Sequence, residues 1–293
     1  MVLVILLTAV GCDSITDDRP SDDIVHTDSP PEKPPYPVDV GSQSFDSSPK
    51  TVVSLSPAIT EAMNDLDVVD RLVAVSEYCT RPTEVLSLAK VGSPAYPDID
   101  AIISLAPELV ITHSVIASSD KVLLSQAGIK VLELKTPDSF AELCQMYIHL
   151  SLIFFGNVDS QEIASDVLLD FDSAMSEAKA KGISVSFVCV EGVTDGGVIL
   201  SHGNTLESDV LSVFGRNLRE ESSEYFVSEE DAKALSPDVV FYNSIIDNDE
   251  DASDTVLEIF GKKCEYIKID IADFERPTVR IAETVKFLLA ELS

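Results

Sequence analysis

Tryptophan is absent from this sequence, aromatics make up only 6% of it, and 20 basic residues stand against 51 acidic ones. The net charge of −31 repels phosphate backbones and anionic headgroups alike, which excludes nucleic acid as a partner. Such acidity also keeps a chain soluble when salt screens charge, so a high-salt habitat is one reading of it. Cysteines at 79, 144, 189 and 264 show no paired C-x-x-C spacing and read as buried or free thiols, with a Cys79 disulfide as the alternative. The histidines, at 26, 113, 149 and 202, are too scattered for a metal set. There is no G-x-S-x-G elbow, H-E-x-x-H pair or P-loop, and no carboxylate pair stands apart from the general acidity. An enzyme is therefore not expected.

What is present begins with an apolar segment, Val2 to Gly11, too short to span a bilayer and ending at Cys12. Residues 1–12 read as a signal peptide whose Ala9-Val10-Gly11-Cys12 resembles a lipoprotein cleavage box, with Cys12 lipidated. No Lys or Arg precedes Cys12, although such signals usually open with positive charge. Residues 13–49 are rich in Asp, Ser, Thr and Pro with little to bury, and are expected to form a disordered tether.

Beyond the tether the chain repeats itself. Ser104-Leu105-Ala106-Pro107-Glu108-Leu109-Val110-Ile111-Thr112-His113-Ser114 returns in type as Ala234-Leu235-Ser236-Pro237-Asp238-Val239-Val240-Phe241-Tyr242-Asn243-Ser244, which implies two similar lobes. In each copy the proline closes a helix and the apolar run forms a buried parallel strand. Alternating strand and helix predicts two Rossmann-like α/β lobes with parallel sheets, at 50–155 and 183–293. From Gly156 to Lys181 there is no proline and no internal glycine, and apolar residues recur at four-residue steps, so residues 156–182 are expected to be one long connecting helix. Glu191 to Gly197 reads as a loop facing the cleft, with glycine spacing too poor for a phosphate cradle. Ligands of open α/β sheets bind at the carboxyl ends of strands, where Ser56 and His113 fall.

Taken in order, Val53-Ser54-Leu55-Ser56-Pro57 with Thr60-Glu61, Tyr78-Cys79 with Pro82, Val91-Gly92, Leu105 to Val110, Val227-Ser228 with Leu235-Ser236-Pro237-Asp238, and Phe274-Glu275-Arg276-Pro277 with Arg280-Ile281 resemble the solute-binding lipoproteins of ABC importers for cobalamin, siderophores and haem. The likeness is greatest to cobalamin binders. It implies a monomer tethered to the outer face of the cytoplasmic membrane by its lipid, serving a permease dimer with a cytoplasmic ATPase. The ligand would lie in the cleft between lobes: cobalamin or another corrinoid, or else an iron siderophore or haem. Few basic residues, Arg81 and Arg216 among them, are on hand for an anionic siderophore. Ser56, Tyr78, Tyr96, His113, Tyr225, Phe226 and Tyr242 are the expected ligand contacts. His113 stands open as cleft wall, axial metal ligand or buried structural histidine. Asp100 and Glu275 look like the acids, one per lobe, that meet permease arginines.

Overall fold

The computed structural model describes residues 35–248 and 250–293; the signal segment, Cys12 and most of the expected tether lie outside the described residues. The first lobe comprises β1 (Val38–Val40), β2 (Gln43–Phe45), β3 (Val52–Ser54), α1 (Pro57–Asp65), β4 (Leu72–Val75), β5 (Ala89–Lys90), α2 (Ile99–Leu105), β6 (Leu109–Thr112), α3 (Ser118–Gln126) and β7 (Lys130–Glu133). After α4 (Phe140–Lys181) come β8 (Val185–Thr194), β9 (Gly197–Leu200), α5 (Leu206–Leu211), β10 (Gly215–Asn217), β11 (Phe226–Ser228), α6 (Glu229–Leu235), β12 (Val239–Asn243), α7 (Glu250–Phe260), β13 (Glu265–Ile269), α8 (Ala272–Glu275) and α9 (Ile281–Glu291).

The first sheet, ordered β5-β4-β3-β6-β7, is parallel throughout. The second, ordered β11-β9-β8-β12-β13 with β10 beside β8, is mixed. Its expected parallel character holds for β8, β10, β12 and β13, but β9 returns antiparallel along β8. The expected cleft loop after Val190 is therefore the far half of a long strand and a hairpin. Asp195-Gly196, with Gly196 at φ +82°, supplies the tight turn that Asp-Gly pairs favour.

Both repeat copies end their helix one residue before the proline, at Ala106 (φ +46°) and Ser236 (φ +47°), each left-handed. The acid after the proline then ties three strands together. Glu108 N–H donates to Thr51 O (2.9 Å) and Lys130 N–H to Glu108 O (3.2 Å); Asp238 N–H donates to Ser186 O (2.8 Å) and Glu265 N–H to Asp238 O (2.9 Å). Their carboxylates accept from the backbone N–H of Lys50 (2.8 Å), just before β3, and of Ser186 (2.8 Å), at the start of β8. A shared chemical task, an acceptor at the strand entry of each lobe, thus accounts for the repeated acid.

Strand residues alternate between faces, as the two-residue period requires. Val52, Leu109 and Ile111 face a core that continues through α4 into Phe187, Phe241 and Leu288 of the second lobe. Val53 and Val110 face a separate cluster on the outer side of the first sheet, and Val188, Val190 and Val240 one on the outer side of the second. One core is therefore common to both lobes.

Two expectations about the chain's connections change. The connecting helix begins earlier, at Phe140, and is broken at Gly156 (φ 76°, ψ −167°). The expected disordered tether, moreover, stops short of residue 49: β1 and β2 form a hairpin that buries Val38, Val40 and Phe45. Its approach segment enters the break in α4. Asn157 N–H, which an unbroken helix would give to Ile153 O, donates to Pro35 O at 2.8 Å. The vacated Ile153 O accepts from Tyr36 Oη at 2.9 Å, so both groups freed by the break are satisfied. A Cβ on Gly156 would stand 2.3 Å from Pro35 O. Gly156→Ala should accordingly cost about 2 kcal/mol or more through left-handed strain and this clash. Tyr36→Phe, which only orphans one carbonyl, should cost about 1 kcal/mol. Urea titrations of the two variants should rank them in that order.

Candidate functional site

In the first lobe the strand-end edge is built on a closed hydroxyl network. Pro57 opens α1, and Ser56 caps it by accepting Ile59 N–H at 3.3 Å. Thr60 Oγ1 donates to Ser56 O at 2.9 Å. The Cys79 thiol lies 3.2 Å from both Thr60 Oγ1 and Ser76 Oγ, with all three residues buried. Ser56 is only 5% exposed. Its hydroxyl belongs to the helix cap, so the structure does not present it to a ligand. Cys79, Cys144, Cys189 and Cys264 are free thiols, which removes the Cys79 disulfide alternative.

Above this floor, Tyr78 and Tyr96 are 55% and 85% exposed. His113, at the end of β6, is turned inward: its Nδ1 lies 3.1 Å from Leu134 O, so that nitrogen carries the proton. Its Nε2 is buried without a partner, and burial pushes the imidazole pKa down. The ring is thus held neutral.

Across the lobe boundary, Tyr225 and Phe226 are about half exposed. The Tyr225 ring stands 4.5 Å from that of the buried His202. Tyr242 is placed elsewhere. The alternation of β12 turns it with Val240 to the outer face, where it lines a separate cavity of about 120 Å³ with Ile246, Val256 and Tyr266.

A cavity of about 280 Å³ is lined from both lobes: Thr136, Pro137 and Asp138 follow β7, while Glu191, Glu207, Tyr225, Phe274 and Glu275 belong to the second lobe. Glu275, expected to meet a permease arginine, is part of this wall. Glu191 accepts from Ser201 Oγ at 2.9 Å. Its pKa is pushed up to about 7, first by burial and then by the Glu207 and Glu275 carboxylates, against the pull of Ser201. Burial and the same neighbours, Glu191 and Glu207, raise Tyr225 as well.

Beside the cavity the lobes are joined by charge. Arg276 and Arg280 of the second lobe approach the buried Glu61 of α1 to 3.8 and 3.9 Å. Arg81 of the first lobe approaches Asp273 to 3.9 Å, and Arg276 Nη1 donates to Thr80 Oγ1 at 3.1 Å. Burial raises the Glu61 and Asp273 pKa values, with the arginines opposing it. Sequence reasoning singled out neither this cluster nor Glu191 and Glu207. Glu191 opens the stretch read as facing the cleft, and its further signal was an acid standing directly after the apolar Val188-Cys189-Val190. No group of three or more metal-ligating side chains occurs among the described residues, and no described helix is long and apolar enough to cross a membrane.

Two α/β lobes around a shared cavity, bridged by one helix, define a two-lobed binding protein. The chain belongs to the periplasmic binding protein family, whose model matches residues 52–258. It is 30% identical over 203 residues to YvrC, an uncharacterized ABC transporter substrate-binding lipoprotein of Bacillus subtilis, covering 66% of this chain and 63% of that one. It is 30% identical over 98 residues to a cobalamin-binding protein of Halobacterium salinarum, 33% of this chain and 27% of that one. The chain thus spans less than two thirds of the length of these curated relatives. Solved structures share the fold: the Vibrio cholerae vitamin B12 binding protein BtuF (TM-score 0.67, 21% identity, 83% of this chain and 96% of that one) and heme binding protein HutB (TM-score 0.66, 18% identity, 82% and 98%).

The raised Glu191 pKa makes a stability prediction. A carboxyl whose folded pKa lies above its unfolded value contributes stability that is fully present below the unfolded value and lost as pH rises through about 7. Glu191→Gln cannot ionise and loses nothing. Discounted for partial exposure, the variant's stability relative to the parent should grow by about 1–2 kcal/mol between pH 5 and pH 8, read from thermal unfolding at the two pH values.

Proposed function

We propose that this protein is the extracytoplasmic solute-binding component of an ABC importer, and that it captures cobalamin or a related corrinoid between its lobes. The observation that carries this reading is a cavity lined by both lobes with Tyr225 and Phe274 in its wall; each lobe also leaves aromatics exposed, Tyr78 and Tyr96 on one and Tyr225 and Phe226 on the other. Flat aromatic area is what a large ring needs. The similarity to a cobalamin-binding protein supports the ligand class. Haem and iron siderophores are the second reading, favoured by the fold shared with HutB. Against them stands the acid-lined cavity, a poor host for anionic chelates. Cys12 would carry the lipid and residues 13–34 the tether, in keeping with the lipoprotein name of the Bacillus relative.

Isothermal titration of the purified protein with cobalamin, ferric siderophores and haem decides between these readings. The expected result is one cobalamin bound with an affinity on the order of nanomolar. Tyr78→Ala should weaken it by about 1–3 kcal/mol. Binding of a ferric siderophore or haem with no heat from cobalamin would replace the ligand.

For the permease contact, Asp100 remains the first-lobe candidate: it is exposed in the first turn of α2, two residues after the Asp98 cap. Glu275 is replaced, because it lines the cavity. In the repeat, the position matching Asp100 is Glu230, exposed in the first turn of α6 two residues after the Ser228 cap. One acid at the same place on each lobe suits a two-fold permease. Asp100→Lys with Glu230→Lys should abolish uptake in vesicles holding the cognate permease while leaving the ligand titration unchanged. Glu275→Lys should do the reverse and alter the titration itself. Reversals at Asp22 and Asp23 of the tether should change neither.

A further inference from the structure

The second-lobe wall of the shared cavity holds two carboxyl groups that the protein leaves short of donors. Glu191 lies where the β8–β9 ladder slips register between Val190 and Gly192, an irregularity of the kind that re-aims a side chain. It lines the cavity and receives one hydroxyl, that of Ser201. Glu207 lines the same cavity with its side chain about nine-tenths buried. Among the described residues, the only hydrogen-bonding group that reaches it is the Glu191 carboxyl itself. No lysine or arginine is among the residues that line the cavity; Asp138 and Glu275 add two more carboxyls, and Tyr225 an aromatic wall. Buried acceptors without donors are costly, and a site that leaves them so discriminates strongly for whatever supplies the donor.

We propose that Glu191 and Glu207 are the recognition site for N–H donors, amide or ammonium, on the rim of the transported chelate. On this assignment the cleft selects chelates with an amide or cationic periphery and rejects those rimmed by carboxylates or catecholates. It deepens the function proposed above and rests on the cavity being the ligand site. Selection works in two ways: the donor satisfies Glu207, and a polyanion meets four carboxyls of which only Asp138 has a cation, Lys135 at 2.9 Å. The groups facing Glu191 are Glu207, Glu275, Ser201 and Tyr225, with His202 behind the tyrosine ring. None of the lining groups would turn cationic near neutrality, so ionisation of Glu191 on raising the pH strengthens the acceptor.

The experiment titrates the full chain, and its Glu191→Gln, Glu207→Gln and double variants, with two matched pairs of probes. Cobinamide, with an amide rim, is set against cobyrinic acid, with a carboxylate rim. Ferrioxamine B, which carries an ammonium group, is set against ferric enterobactin, a trianion. Circular dichroism confirms that each variant folds. The expected result is a preference of about 100-fold or more for the N–H-bearing member of whichever pair binds, narrowed about 10-fold or more in the double variant. Affinity for that member should also rise between pH 6 and pH 8 in the parent and stay flat in Glu191→Gln, a readout that a merely structural carboxyl would not move. A preference unchanged in the double variant, or tighter binding of the polyanionic member, overturns the assignment while leaving the importer function standing. Preference within the siderophore pair alone sinks the corrinoid reading but sustains the assignment. Absence of binding to all four probes overturns both.

Discussion

The arrangement of the lobes depends on one buried phenol. Tyr147, fully buried near the start of α4, donates to Asp65 Oδ2 of α1 at 2.6 Å and accepts Val279 N–H of the C-terminal segment at 3.1 Å. Its hydroxyl therefore pins the first lobe, the connecting helix and the last crossing of the second lobe at a single point. Burial and the Asp65 charge push its pKa far up, so it stays a neutral donor, the form that a carboxylate partner requires. Around this pin the Glu61, Asp273 and arginine contacts are longer, 3.4 to 3.9 Å, and partly exposed. The Glu61 carboxylate is buried and that of Asp273 largely so, but the arginine heads are partly exposed, and at that length the heads can adjust without leaving their partners. A tight neutral hydrogen bond at the centre with loose ionic contacts at the rim suits two lobes that tilt slightly about a fixed point.

The fold was legible where one physical requirement left a mark at one place in the chain. The repeat is such a mark: proline, acid and apolar run record a helix stop, a strand-entry acceptor and a doubly buried strand, and the structure uses all three in both copies. The equivalence of Glu230 to Asp100, on which the proposed permease contact rests, was readable too, since each precedes its repeat copy by the same spacing. Glu275 was preferred instead because the Phe-Glu-Arg-Pro stretch resembled the family locally, and a local likeness does not tell which face of a cleft a four-residue helix presents.

Other features need partners that sequence distance conceals. Tyr147 reads as one more apolar position on a helix, and only its neighbours at 65 and 279 give the hydroxyl a purpose. Among 51 acids, Glu207 has no distinguishing context until folding buries it beside Glu191. The hairpin was a milder failure of method. Val38, Val40 and Phe45, with a left-handed Gly41 between strands, carry a readable alternation and turn, but composition averaged over residues 13–49 hid it. Likewise Gly156 was taken as the start of a helix because nothing local could reveal that Pro35 and Tyr36 would fill a break there.

Charge connects these observations to function. The chain has seven arginines, and three of them, Arg81, Arg276 and Arg280, are committed to the acids Glu61 and Asp273 where the lobes meet. Using them on a cavity ligand would leave Glu61, 5% exposed, without its counter-charges, a loss that a buried carboxylate tolerates poorly. Three of the basic residues are thus bound to the lobe contact, while Glu191, Glu207 and Glu275 line the cavity with no lysine or arginine beside them in its wall. A protein organised in this way can be acidic throughout and still bind selectively if, as proposed above, its specificity rests on the acceptors in the cavity wall rather than on attraction between opposite net charges.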